Sequence, residues 1–216
     1  MKIGLRAGHS PNCLGAVELR NEWACMNELY KYVEATLKEY GHTVINCNTT
    51  AGTQDQELFA GVSRANANNV DLFMSLHMNC SDGNGHGVEA WTYNRFSRAN
   101  AIAERLCKNF STLGLYNRGV KYNSNYYEMR HADAPNIIFE TMFCDNAHDI
   151  NKVWSPTSYE KMGRLIANAI DPNIPIEKPA DKYQIRVFSF SSKEEADKCS
   201  QIITRDHGWY NVVEKM

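Results

Sequence analysis

Four ionisable side chains in this 216-residue chain, His9, Glu22, His77 and Glu140, are of types and at positions that could share one metal-dependent hydrolytic centre. His9 follows a short strand-like run at 2–6, His77 ends Asp71-Leu72-Phe73-Met74-Ser75-Leu76, and Glu140 ends Ile137-Ile138-Phe139. In open parallel sheets functional groups emerge at the carboxyl ends of strands, so these three should leave one edge together. Glu22 opens the helix that follows the same edge and can reach the same place. Zinc takes nitrogen ligands together with a carboxylate and, in catalytic sites, leaves a fourth position open. Two His and one Glu satisfy that count. The remaining carboxylate can take a proton from an attacking water and hand it to a leaving nitrogen, which makes the set chemically complete for amide hydrolysis. One at a time these residues say little, because a strand-end His is more often a hydrogen-bonded structural group. No His-Glu-x-x-His helix is present, so convergence is what counts.

Those positions need a scaffold. Besides 2–6 and 71–76, the runs 43–47, Val88–Tyr93 and Asn136–Phe139 read as strands. Trp23, Met26, Leu29, Tyr30, Val33 and Leu37 recur with helical spacing, which predicts a helix from Glu22 to Tyr40, stopped by Gly41, with a core-facing stripe. Helices at 55–69, 97–113 and Ser158–Ile170 complete the alternation. Such β-α-β rhythm predicts an α/β fold, a mostly parallel sheet covered by helices on both faces. Pro172, Pro175 and Pro179 prevent regular structure from continuing, which places a linker at 172–181 between a domain of 1–171 and a unit of 182–216. In that unit Tyr183–Phe190 alternates like a strand, Ser192–Arg205 is helical and Trp209–Val213 returns as a strand, a small β-α-β unit.

Bulk properties exclude several classes. Hydrophobic residues at 43%, charged residues at 22% and a mean hydropathy of -0.50 are ordinary for a soluble globular protein. A net charge of -2 offers no bulk attraction to nucleic acid or anionic lipid, so neither is expected as a partner. No window approaches the roughly 20 apolar residues that cross a bilayer. The first residues show no basic-then-apolar leader, so the chain is read as made in the cytoplasm without a signal peptide. Seven cysteines at irregular spacing, with no Cys-x-x-Cys pair, are read as reduced thiols.

Five separated blocks then stand out. They are Ala7-Gly8-His9; Asn21-Glu22 with Asn27; Ser75-Leu76-His77-Met78-Asn79; Asn117-Arg118-Gly119-Val120-Lys121; and Ala134-Pro135-Asn136-Ile137-Ile138-Phe139-Glu140-Thr141-Met142-Phe143 with Asp145-Asn146. In order and spacing, over residues 1 to 170, they resemble the zinc-dependent N-acetylmuramoyl-L-alanine amidases of the type-3 family, found in bacterial autolysins and phage endolysins. The resemblance implies that His9, Glu22 and His77 hold Zn2+ and that Glu140 is the catalytic acid and base; Asn79 and Arg118 are candidates for substrate binding, although an arginine in a loop such as that of Arg118 is as often a structural anchor. It implies hydrolysis of the amide between N-acetylmuramic acid and the first L-alanine of the stem peptide, with peptidoglycan as partner and cell-wall lysis as outcome. An enzyme of this kind without a signal peptide would reach the wall after holin-type release or mother-cell lysis. The rival readings are a zinc hydrolase of another cell-wall amide, a deacetylase or peptidase, and a non-catalytic wall-binding protein, which the intact ligand set argues against. Two departures from the family pattern are present: its Asp-x-Gly-His opening is Arg6-Ala7-Gly8-His9 here, and its next Gly is Ser10. Losing the Asp is expected to weaken the setting of the His9 ring without removing a ligand.

Residues 182–214 resemble the first half of a SPOR repeat, which binds glycan strands, with Tyr183–Ser191 as the recognisable start. A half-repeat would leave a sheet edge free for self-association. Cys80 and Cys144 are read as small buried residues, His86 as part of a glycine-rich surface loop, His131 and His148 as solvent-facing, and His42 and His207 as structural groups after helices.

Overall fold

A computed structural model describes residues 1–155, 157–178 and 191–207. The chain divides into two units, Met1–Lys178 and Pro179–Met216. The first carries β1 (Lys2–Ala7), α1 (Glu22–Glu39), β2 (Thr43–Asn46), α2 (Gln54–Ala67), β3 (Leu72–Asn79) and β4 (Val88–Thr92). It continues with α3 (Asn100–Ser111), β5 (Asn117–Tyr122), α4 (Tyr127–His131), β6 (Asn136–Phe143), α5 (Ala147–Val153) and α6 (Ser158–Ile170). The strands form one sheet in the order β2-β1-β3-β6-β4-β5. Pairing is parallel throughout except between β4 and β6. This is the α/β architecture that the alternation of elements predicts.

Strand alternation sorts the two faces. On β3, Leu72, Met74, Leu76 and Met78 join the large core with Met26, Leu29, Val33 and Leu37 of α1 and Leu165 and Ile166 of α6. Each such fully buried side chain contributes about 1.5–3 kcal/mol of burial. The opposite face has a smaller core, in which Phe73 of β3 meets Val62 and Ala65 of α2. Toward the carboxyl end of β3 that second face turns polar, with Ser75 and His77 following Phe73 at every other position. The helix stripe on α1 is core, as its spacing predicts.

Two strands run further than their apolar cores suggest. β3 continues through His77 to Asn79 and β6 through Glu140 to Phe143, so His77 and Glu140 lie inside strands and not at their ends. They still face each other, because His77 and Glu140 are register partners. A β-bulge follows at once, with Asn79 opposite Phe143. Bulges of this kind re-aim side chains beside sites. β5 runs through Arg118, where the sequence reading places no strand, and α4 and α5 have no counterpart in it either.

Residues 172–178, expected as the start of a linker, pack on the first unit: Ile174 is fully buried and its carbonyl accepts from Asn168 at 2.8 Å. Proline forbids helix and ladder hydrogen bonds but not burial. In the second unit α7 (Lys193–His207) occupies the predicted helix and extends through His207, which therefore ends a helix and does not follow one. The strands expected at 183–190 and 209–213 lie outside the described residues. Among the described residues no helix is long and apolar enough to cross a membrane.

Candidate active site

The site is assembled from loop, helix and strand. β1 hands over at Gly8, whose amide donates to Leu76 O at 2.7 Å, and His9 follows in the left-handed region at φ 68°. A Cβ on Gly8 would run into the His77 ring, and one on Gly15 into His9 and Glu22, so both glycines are needed for side chains to close on this spot. Ser10 ties the loop down by donating through Oγ to Ala51 O at 2.5 Å and accepting from Asn12 N at 3.1 Å. Asn21 caps α1, accepting from Ala24 N at 2.9 Å, which fixes Glu22 in the first turn, where the helix dipole favours a negative charge.

Glu22 is the centre of the arrangement. Its Oε1 accepts from Met78 N at 3.1 Å and lies 2.9 Å from His77 Nδ1. Its Oε2 accepts from Ala16 N at 3.0 Å and lies 3.2 Å from His9 Nε2. Burial opposes the charge, but hydrogen bonds with His77 and His9 outweigh it and hold the carboxyl well below the usual carboxylate range. The imidazoles meet edge to face, with centroids 5.0 Å apart. One ligand atom from each of His9, Glu22 and His77 lies within 4.8 Å of the other two, a grouping that can hold a metal ion.

Glu140 stands across the strand pair from His77, and its Oε2 is buried without a hydrogen-bond partner. Burial pushes its carboxyl up to about 7; His77 opposes the shift, and the nearby carboxylates of Glu22, Glu89 and Glu128 add to it. A partly desolvated carboxyl near neutrality is suited to exchanging a proton with a reacting group.

The sequence reading missed Glu89, the register partner of Glu140 on β4. It gathers Asn79 Nδ2 at 3.0 Å, Trp91 Nε1 at 3.0 Å, Arg118 Nε at 2.5 Å and Lys121 Nζ at 2.7 Å. Asn79 and Arg118 are thus both tethered to one buried carboxylate beside Glu140. Strand-end logic fails for Glu89 because β4 runs against β6, which brings its first residues to the active edge. The available signal was length: residues 80–87 are too few for the roughly dozen-residue crossover that a parallel return needs.

Burial opposes the Glu89 charge, yet hydrogen bonds from Lys121 and Arg118 prevail and lower its pKa. A depressed carboxylate pKa contributes stability above the unfolded-state value and loses it as the pH falls through the folded value. Glu89→Gln is therefore expected to cost about 1–3 kcal/mol near neutrality. The gap in urea midpoints between variant and wild type should close as the pH drops below the carboxylate range. A gap that persists in acid would show that charge is not the cause.

Other candidates fall away. Cys144 is buried as expected but Cys80 is exposed, and every described cysteine is free. His86 and His131 are exposed, His148 is 64% exposed, and His42 is engaged with Asp171 at 3.0 Å.

A mostly parallel α/β sheet here presents two imidazoles and a shared carboxylate, a grouping that can hold one metal ion, with a second carboxyl opposite that has an unpartnered oxygen. The chain belongs to the Amidase_3 family of N-acetylmuramoyl-L-alanine amidases, whose model matches residues 3–172. An uncharacterised Clostridium perfringens protein, CPE1502, is 33% identical over 175 residues, covering 79% of this chain and 52% of that relative. The amidase CwlM of Bacillus licheniformis is 24% identical over 202 residues, covering 91% of this chain and 78% of CwlM. Among solved structures, the catalytic domain of the CD27L endolysin targeting Clostridia Difficile superposes with a TM-score of 0.73 at 28% identity, covering 79% of this chain and 96% of that domain. The chain spans 52% and 58% of the length of two curated clostridial relatives that it matches.

Proposed function

We propose that this protein hydrolyses the amide between N-acetylmuramic acid and L-alanine in bacterial peptidoglycan, with zinc held by His9, Glu22 and His77. The observation that carries the reading is the convergence of three ligand atoms within 4.8 Å, with Glu140 opposite His77. The donor set fits zinc: two neutral-capable imidazoles and a carboxylate kept ionised by its setting. Zinc, when bound, supplies Lewis-acid polarisation of the scissile carbonyl. Glu140 takes the proton of the attacking water on its free Oε2 and returns it to the alanine nitrogen as the C–N bond breaks. Arg118 and Asn79, fixed by Glu89, orient the substrate from the neighbouring strands.

Digestion of purified cell walls tests the reading. New alanine amino termini without new reducing sugar ends are expected. Released acetate, or new amino termini other than alanine, would replace the muramoyl amide with another cell-wall amide as the bond cleaved. Walls left intact by the zinc-loaded protein would sink the hydrolase reading.

A further inference from the structure

Arg6 occupies the place where the family pattern carries Asp, and its side chain is fully buried on the polar face of the sheet. Burying a guanidinium is costly unless it is paired and hydrogen-bonded. Arg6 is both. It forms ion pairs with Glu57 of α2 and with Glu128 of α4, the latter at 3.2 Å, and it donates to the carbonyls of Glu57 at 3.3 Å and His9 at 3.4 Å. Room for it exists because Gly61, one turn beyond Glu57 on α2, has no side chain; a Cβ there would sit 3.0 Å from Nη1 and 3.2 Å from Cδ.

The two carboxylates differ in what they do with their second oxygen. Glu128 accepts from Ser75 Oγ at 2.6 Å and is fully engaged. Glu57 pairs with Arg6 through Oε2 and turns Oε1 toward His9 Nδ1, 3.9 Å away. His9 Nδ1 is buried and has no hydrogen-bond partner among the described residues. The other ring nitrogen, Nε2, faces Glu22. The imidazole is therefore bracketed by two carboxylates, one for each nitrogen.

From this geometry we infer that Glu57 is the positioning residue of His9, doing from α2, through its partnership with Arg6, what the lost Asp would do from β1. A neutral imidazole carries one N–H, and an acceptor at Nδ1 puts the proton there, leaving Nε2 as the lone-pair donor toward Glu22 and the metal. The 3.9 Å separation is about 1 Å beyond a direct hydrogen bond, so the inference requires the two groups to close in by that much when the ion is bound. The inference rests on the zinc reading, since positioning matters only if Nε2 has an ion to hold. Glu57 offered merely as a counter-charge for Arg6 would be interchangeable with Glu128, and that difference makes the two accounts separable.

The test is zinc affinity of the full chain, measured by competition with a chromogenic chelator, together with 15N shifts of labelled histidine in the zinc-loaded protein. Glu57→Gln is expected to weaken zinc binding about 10-fold or more. Glu57→Asp keeps a charge beside Arg6 but withdraws the carboxylate from His9; it should also weaken binding, and it serves if the Gln variant fails to fold. Glu128→Gln should leave zinc affinity unchanged. In wild type the His9 shifts should report a proton on Nδ1. Unchanged affinity in the Glu57 variants, an equal loss in Glu128→Gln, or a His9 proton on Nε2 overturns the inference while the zinc reading stands. A wild-type protein that takes up no zinc removes the zinc reading itself, and this inference with it.

Discussion

Glu140→Gln is expected to lower kcat on a muramoyl-peptide substrate by about 10²–10⁴-fold, with zinc stoichiometry unchanged. The amide keeps the shape of the side chain and loses only its ability to accept and return a proton. Stability should move the other way. Glu140 Oε2 is buried and makes no hydrogen bond, and no ion pair to Glu140 is found among the described residues for the substitution to break. In the zinc-free protein, burial pushes the carboxyl up to about 7, which means that ionising it opposes folding. The sign follows from linkage: with the folded value above the unfolded one, the penalty is absent in acid, grows as pH rises past the unfolded value and is complete above about 7. Zinc-free Glu140→Gln should thus melt higher than zinc-free wild type in mildly alkaline buffer and equally in acid. Turnover within a few-fold of wild type would remove Glu140 from the chemistry, and a melting curve below wild type at alkaline pH would show that its carboxylate is structurally used.

The centre was readable in outline because its residues follow the clearest elements in the chain. β1, the stripe of α1, and the apolar runs of β3 and β6 have strong periodic or β-branched signals, and His9, Glu22, His77 and Glu140 sit on or just after them. The elements that escaped notice lack such signals. β5 reads Asn-Arg-Gly-Val-Lys-Tyr, an edge strand with no apolar alternation, and α4 has five residues, too few for a helical period to show. Glu89 was hidden by strand direction, which depends on how the 80–87 turn closes and not on the strand's own residues. Arg6 and its partners were hidden for another reason. Arginine is almost never fully buried unless paired, and these partners lie 51 and 122 residues away, so only the packed fold reveals that Arg6 is met by carboxylates from α2 and α4.

Withdrawing the metal is expected to abolish hydrolysis completely, with one equivalent of zinc restoring it, and the way Glu22 is held sets what else must change. A ligand that binds only the folded state stabilises by mass action, about 2.7 kcal/mol when its free concentration is 100-fold above Kd, so chelation should lower Tm as well as activity. Glu22→Ala imitates chelation but goes further. It deletes a ligand and also strands Met78 N and Ala16 N, the two backbone donors its oxygens satisfy, at about 1–3 kcal/mol for a buried unsatisfied group. Zinc should then restore neither activity nor Tm. Glu22→Gln separates the two losses: its single carbonyl oxygen can still accept from one of those amides, so part of the stability returns, while an amide oxygen is a poor substitute for a carboxylate between two imidazoles and zinc affinity stays low. Isothermal titration of each variant with zinc, beside its melting curve in excess chelator, reads the two effects independently. Stoichiometric, wild-type-like zinc uptake by Glu22→Ala would show that the ion sits elsewhere and that Glu22 is a structural carboxylate tying α1 to β3.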